Sequence, residues 1–213
     1  LTCGHTFCVA CVNELQKRGV KQLCPRCMKP PSLGARRLCE QADKLYLQVH
    51  RCVTRQGFKG YLSQNLQRKG ANSIVLYELA AAQNLPQAQY GIGVVYQNGY
   101  IVPKDNVRAL EYYRKAAEQG YAQAQLNLGL MYANGRGVST DEIRAVRWYK
   151  KAAKQGYDDA QYNLGVMYAN GRGVAKDEPR AVKWFEKAAE QGHIHAQFNL
   201  GVYHVDASGN GIP

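Results

Sequence analysis

Lys-Ala-Ala-Glu-Gln-Gly-Tyr at residues 115–121 returns as Lys-Ala-Ala-Lys-Gln-Gly-Tyr at 151–157 and as Lys-Ala-Ala-Glu-Gln-Gly-His at 187–193, a spacing of 36 residues each time. The identity continues downstream: Ala124, Gln125, Asn127, Leu128 and Gly129 recur as Ala160, Gln161, Asn163, Leu164 and Gly165, then as Ala196, Gln197, Asn199, Leu200 and Gly201. Self-similarity at a fixed period of this length is the mark of a repeat architecture. The same register reaches back to Ala80, Ala81, Ala88, Gln89, Gly93 and Tyr96, giving at least four units, near 71–106, 107–142, 143–178 and 179–213.

Each unit reads as two helices. In the third, Asp141 is a natural N-cap for a helix carrying Ala145, Trp148, Tyr149, Ala152 and Ala153, and Gly156 supplies the left-handed residue that ends it. A second helix carries Ala160, Leu164, Val166, Met167 and Tyr168 and closes at Asn170-Gly171-Arg172-Gly173. The small residues Ala152, Ala160 and Gly165 are expected to let the two backbones approach, with Trp148, Tyr149, Leu164 and Tyr168 filling the remaining volume. An isolated pair cannot hide such a face, so neighbouring units must stack. The Gly-x-Gly pairs at 135/137 and 171/173 follow no strand and read as turns, not as a phosphate loop.

Lys-Ala-Ala-x-Gln-Gly, Ala-Gln-x-Asn-Leu-Gly-x-Met-Tyr and Gly-x-Gly-Val together resemble the Sel1-like repeat family, relatives of the tetratricopeptide repeats, over residues 71–213 and most specifically over 107–205. The last unit departs from the pattern, with Tyr203 and His204 in place of Met131 and Tyr132. It also stops at Pro213 without a polar capping helix, so more array is expected beyond it. The resemblance implies an adaptor that presents a concave surface to protein substrates or partners. In such arrays repeated asparagines often clamp a peptide backbone, which makes Asn127, Asn163 and Asn199 candidate partner-binding residues; a hydrogen bond to the next repeat would explain them equally. His193 and His195, two residues apart, would face different directions on a helix and are not read as a metal pair.

Ahead of the repeats stands a different chemistry. Five of the seven cysteines fall within the first 27 residues, in the pattern Cys3-x-His5-x2-Cys8-x2-Cys11 followed by Cys24-Pro25-Arg26-Cys27. Cys-x2-Cys turns present two sulfurs to one ion, and a tetrahedral zinc takes four ligands, so six are more than one site uses. Disulfide frameworks spread their cysteines over the fold they staple; this crowding favours zinc and a reducing compartment, cytoplasmic or nuclear. A treble-clef or zinc-ribbon module holding one structural ion is the competing assignment.

These residues resemble the C3HC4 RING finger from its third ligand onward. In that family the ligands interleave, which implies one complete zinc site from Cys3, His5, Cys24 and Cys27 and half of a second from Cys8 and Cys11, whose partners are expected upstream of Leu1. Phe7 sits at a core position of the family and 12–18 at its short central helix. The resemblance further implies that the module, residues 1–31, recruits a ubiquitin-conjugating enzyme through positions such as Leu23 and Pro25, and acts by positioning, with no covalent intermediate or catalytic side chain of its own. Met28 departs from the pattern, since active members often carry a cation just after the last ligand.

The chain has 213 residues and a net charge of +12, of which residues 1–70 hold 13 Lys/Arg against 3 Asp/Glu. Such a front could meet nucleic acid, but the aromatics sit in the repeats while the charges do not, leaving no interleaved stacking platform; nucleic acid ranks last among the partners. No apolar run approaches the roughly 20 residues needed to cross a bilayer, so no membrane role is expected. Between the modules, Pro30, Pro31 and Gly34 end the first, and 32–70 reads as a basic helical connector. In it Leu38, Ala42, Leu45 and Val49 form one stripe, and Gly57, Gly60 and Gly70 punctuate a weaker helix around 61–68. Cys39 and Cys52 read as buried or half-exposed thiols. The expected fold is mostly α: a small RING-type zinc module followed by an α-solenoid of stacked helix pairs. The expected function is that of a RING-type ubiquitin ligase whose repeats choose the substrate, with a non-catalytic interaction scaffold bearing a structural zinc module as the alternative.

Overall fold

The helical spacing of the repeats becomes a regular series of helices in the structure, a computed structural model that describes residues 34–54 and 62–208, with side chains to 203. In chain order they are α1 (Ala35–Thr54), α2 (Gln64–Ala81), α3 (Pro86–Asn98), α4 (Asn106–Glu118), α5 (Ala122–Asn134), α6 (Glu142–Lys154), α7 (Asp158–Asn170), α8 (Glu178–Glu190) and α9 (Ile194–Ser208). The helices form a repeat array, and no strand occurs among the described residues. The chain divides into two units, Leu1–Tyr112 and Tyr113–Pro213.

In the first unit α1 buries the stripe expected of it, with Leu38, Ala42 and Val49 at 0% exposure. Tyr46 takes the inward place assigned to Leu45, which is only partly buried. Leu76, Leu79, Ile92 and Val95 complete this core from α2 and α3. Polar ties cross it: the Tyr77 hydroxyl donates to Asp43 Oδ1 at 2.6 Å, and Asn98 Nδ2 donates to the Tyr46 hydroxyl at 2.8 Å. Gly70 does not punctuate. It lies inside α2, where a Cβ would come within 2.8 Å of the Ile101 side chain, so its small size serves close packing.

In the second unit the Lys-Ala-Ala-x-Gln-Gly-Tyr signature has a direct structural meaning. Gly156, at φ +87°, donates its N–H to Ala153 O, and the Tyr157 N–H donates to Ala152 O, the paired bonds of a Schellman ending. The same two bonds recur at Gly120 and Tyr121 and at Gly192 and His193. Asp141 opens α6 as expected: Oδ1 accepts from the Arg144 N–H at 2.8 Å, and Oδ2 pairs with Arg144 Nε at 3.1 Å. Asp177 repeats this arrangement on Arg180. These caps satisfy helix-end donors that would otherwise lack partners.

Gly165 accommodates a neighbour other than the expected one. A Cβ there would stand 2.6 Å from Cε1 of Phe185, on the first helix of the following pair, and Gly129 stands in the same relation to Tyr149. The glycines therefore seat an aromatic ring of the next pair instead of drawing together the two helices of their own. Tyr149, Leu164 and Tyr168 are buried, but Trp148 is not: it is half-buried at the edge of α6, because one residue of helix rotation, about 100°, turns it away from the inward Tyr149.

Candidate functional site

The six metal-ligand candidates Cys3, His5, Cys8, Cys11, Cys24 and Cys27, with Leu23 and Pro25, lie outside the described residues. Their chemistry is that of a zinc donor set, thiolates and one imidazole, which suits a borderline-soft cation of tetrahedral preference. Among the described residues no group of three or more His, Cys, Asp or Glu could hold a metal ion. Cys39 and Cys52 carry free thiols on α1. Burial, and then the neighbouring Asp43 and Glu40, push the Cys39 thiol up to about 12, which keeps it protonated and unreactive.

Asn127, Asn163 and Asn199 are each the sixth residue of α5, α7 and α9, and each is half-buried. Asn163 Nδ2 donates to the Asp159 carbonyl of its own helix at 2.8 Å, a bond that does not reach the next repeat. Glutamines make the link between repeats. Gln161, 4% exposed, donates Nε2 to Ala153 O at 3.2 Å while its Oε1 accepts from Gln191 Nε2 at 2.7 Å. One unit earlier Gln125 donates to Ala117 O at 3.1 Å and accepts from Gln155 at 2.8 Å. Both glutamines of the relay belong to the repeated motifs; their pairing across 30 residues has no one-dimensional signal.

His193 sits just ahead of α9 and caps it, Nδ1 accepting from the Ala196 N–H at 3.2 Å, while Nε2 lies 3.3 Å from Asp159 Oδ1. Its ring stacks on Tyr162 with centroids 4.6 Å apart, and His195 packs on that same tyrosine at 5.9 Å. These side chains form an aromatic cluster holding α9 to α7.

The second unit also carries a hollow of about 610 Å³, lined by Arg114, Glu118 and Tyr132 together with Trp148 and the cations of α6. Its walls are braced by rings. Arg114 Nη2 donates to the Tyr132 hydroxyl at 3.2 Å, the Arg144 guanidinium lies 5.6 Å from the Tyr132 ring centre, and Lys151 Nζ lies 4.1 Å from that of Trp148. Six cationic side chains face one carboxylate, Glu118, around this space. Sequence reading places Trp148 in the core and so misses the hollow.

Comparison with known families and structures agrees with the geometry. The Sel1 repeat model matches residues 86–121, 122–157, 158–193 and 194–212, and the zinc finger, C3HC4 type (RING finger), model matches residues 1–27. The matched repeats begin on α3, α5, α7 and α9, so that each whole unit joins the second helix of one pair to the first of the next, the contact where Gly165 meets Phe185. A protective antigen of uropathogenic Escherichia coli strains, displaying an SLR fold, superposes with a TM-score of 0.71 at 29% identity over 95% of this chain. The chain spans only 37% of that protein's length. A Sel1 repeat protein from Oxalobacter formigenes is 42% identical over 59% of this chain and 94% of its own, with a TM-score of 0.55. Helicobacter pylori cysteine rich protein B is 29% identical over 63% of this chain and 97% of its own, with a TM-score of 0.51. No curated protein matches the chain.

Proposed function

Since the chain belongs to the Sel1-repeat family and its first 27 residues match the C3HC4 RING finger, we propose that this protein-interaction scaffold is a RING-type ubiquitin ligase. The zinc module recruits a ubiquitin-conjugating enzyme charged with ubiquitin, and the helical array holds the protein to be modified. What supports this reading is the presence of both modules in one chain: a recruiting head beside a surface able to choose a partner. Catalysis of this kind is positional. Holding thioester and acceptor amine together raises their effective concentration, and the ligase itself needs no nucleophile.

Cys3, His5, Cys24 and Cys27 are the residues proposed to hold one zinc, with Cys8 and Cys11 contributing to a second. The metal supplies structure: so small a module lacks a sufficient core, and coordination provides most of its folding free energy. Leu23 and Pro25 are proposed to meet the conjugating enzyme, while Asn127, Asn163 and Asn199 are offered to the backbone of a bound partner. The free thiols of Cys39 and Cys52 accord with a reducing compartment, cytoplasm or nucleus.

Met28, where active RING fingers often carry a cation, favours a second reading, in which the zinc module is a structural head on a non-catalytic scaffold. Reconstituted autoubiquitination with the full-length protein decides between them. Chain formation that disappears in Cys24→Ser establishes the ligase; equal signal from both proteins rules it out.

A further inference from the structure

The cationic hollow of the second unit is a peculiarity of one repeat. At equivalent positions 36 residues apart, α4 presents Arg108, Glu111, Arg114, Lys115 and Glu118, and α8 presents Arg180, Lys183, Glu186, Lys187 and Glu190. On α6 the same positions are Arg144, Arg147, Lys150, Lys151 and Lys154. Both sister helices mix the two signs, as a solvated face does, whereas α6 is cationic at all five positions. Packing does not require this, because the brace is common to the repeats: Lys187 lies over Trp184 at 4.7 Å and Arg180 over Tyr168 at 5.8 Å, as Lys151 lies over Trp148 and Arg144 over Tyr132.

Arg144 has Asp141 as its ion-pair partner; Arg147, Lys150 and Lys154 are exposed and have no carboxylate partner among the described residues. Five cations crowded on one helix repel one another, at a cost the sister repeats avoid with two glutamates each. An incoming anion relieves that repulsion.

We propose that this hollow is the docking site for an acidic, extended segment of a partner protein, a run of Asp and Glu side chains laid along α6; this rests on the reading of the array as the partner-binding half of the protein. From Arg144 to Lys154 the stripe rises about 15 Å, at ~1.5 Å per residue. That matches roughly four to five residues of extended chain at ~3.4 Å each. A peptide fits this footprint better than a nucleic acid does. The unbroken stripe is confined to α6, since two of the five positions on each sister helix are glutamates, so no continuous phosphate track extends beyond it. Lys151 already lies over the Trp148 ring, and Tyr132, the other aromatic of the lining, is buried beneath Arg144, so neither offers an open platform on which a base could stack. Glu118, in the wall, sets the register by repelling a carboxylate placed against it.

The test uses the 213-residue chain and fluorescence anisotropy with three labelled probes: a short peptide of alternating Glu and Asp, its Gln/Asn counterpart, and a single-stranded oligo-dT of matched charge. The double variant Lys150→Glu/Lys154→Glu installs the side chains that α8 carries at Glu186 and Glu190, so it is expected to fold, and circular dichroism checks that it does. Arg36→Glu/Arg37→Glu on α1 matches it in charge. Each surface pair is worth up to roughly fivefold in affinity. The expected result is acidic-peptide binding weakened at least tenfold in the α6 variant and less than twofold in the α1 control, no binding of the amide peptide, and weaker binding of the oligonucleotide. Equal losses in both variants, no loss in either, or tighter binding of the oligonucleotide would each overturn the proposal. Ubiquitination in the Cys24 assay is independent of these probes: its absence beside intact α6-dependent peptide binding removes the ligase reading alone.

Discussion

Gln191 donates its side-chain amide to Gln161 at 2.7 Å, and Gln161 in turn donates to the Ala153 carbonyl at 3.2 Å, so a buried amide passes the bonding of one repeat to the next. The Ala153 carbonyl also receives the Gly156 N–H of the Schellman turn, which ties the relay to the helix ending that positions it. Truncating Gln161 to Ala removes both of its side-chain bonds, leaving Gln191 with its 3.2 Å bond to the Lys187 carbonyl and the Ala153 carbonyl with the Gly156 N–H. Each lost bond is worth about 0.5–1.5 kcal/mol net, so Gln161→Ala, which removes two, is expected to destabilise the protein by about 1–3 kcal/mol in urea denaturation. Asn163→Ala, whose bond is exposed and internal to its helix, is expected to cost less than about 1 kcal/mol.

The seat of Phe185 on Gly165 yields a second expectation. A methyl at 165 meets the ring at 2.6 Å, inside contact distance, and overpacking of this kind costs about 1–3 kcal/mol. Gly165→Ala lowers the denaturation midpoint, and Phe185→Leu in that background recovers part of the loss. The measured quantity is the coupling energy of the double-mutant cycle, which is expected to be nonzero because the two residues touch.

Burial pushes the Tyr149 hydroxyl up to about 12 from an ordinary 10.0. The folded protein therefore holds this proton more tightly than the unfolded chain does. The corresponding stability is fully present below pH 10 and is lost as the pH rises toward 12. A proton held that much more tightly is worth about 3 kcal/mol at full effect. Comparing wild type with Tyr149→Phe by denaturation at about pH 9 and about pH 11.5, on either side of the ordinary tyrosine value, isolates this residue: the wild type is expected to lose more stability than the variant over that interval.

Metal removal is expected to act on the front alone. A chelator, or Cys24→Ser, should abolish zinc binding measured by elemental analysis. The far-ultraviolet helical signal should change by only a small fraction, since the described helices lie at 35–208, outside the matched zinc-finger residues 1–27.

The parts of the fold legible in the sequence are those whose causes are local. Asp141 caps the helix it immediately precedes, and Gly156 and Gly171 end helices through their own backbone angles, so motif and structure coincide there. Relationships across the array are harder to see. Gln155 and Gln125 both recur in the pattern, yet nothing along the chain pairs residues 30 apart, and the repeated asparagines stand out in the letters while the glutamines make the bonds. Gly70 resembles a stop because the Ile101 side chain that requires it arrives from a different segment. Composition assigns Trp148 to the core, whereas one step of helix rotation places it at the rim of the hollow. The cationic stripe is present in the letters throughout; its meaning depends on comparing α6 with α4 and α8 position by position. The zinc-ligand assignments lie outside the described residues and stand on spacing and family match.

The glutamine relay also bears on how such a chain can change over generations. The helix pair α6–α7 carries, in Gln161, an acceptor for the pair after it and, in Gln155, a donor for the pair before it, so a copy of it is a complete plug and socket. Duplicating or deleting a stretch of DNA that encodes a whole 36-residue unit leaves every junction bonded, while a change of any other length strands an amide in the interior. The array can thus be lengthened or shortened in whole steps, and a specialised copy such as the cationic one can be moved along it without redesigning its neighbours.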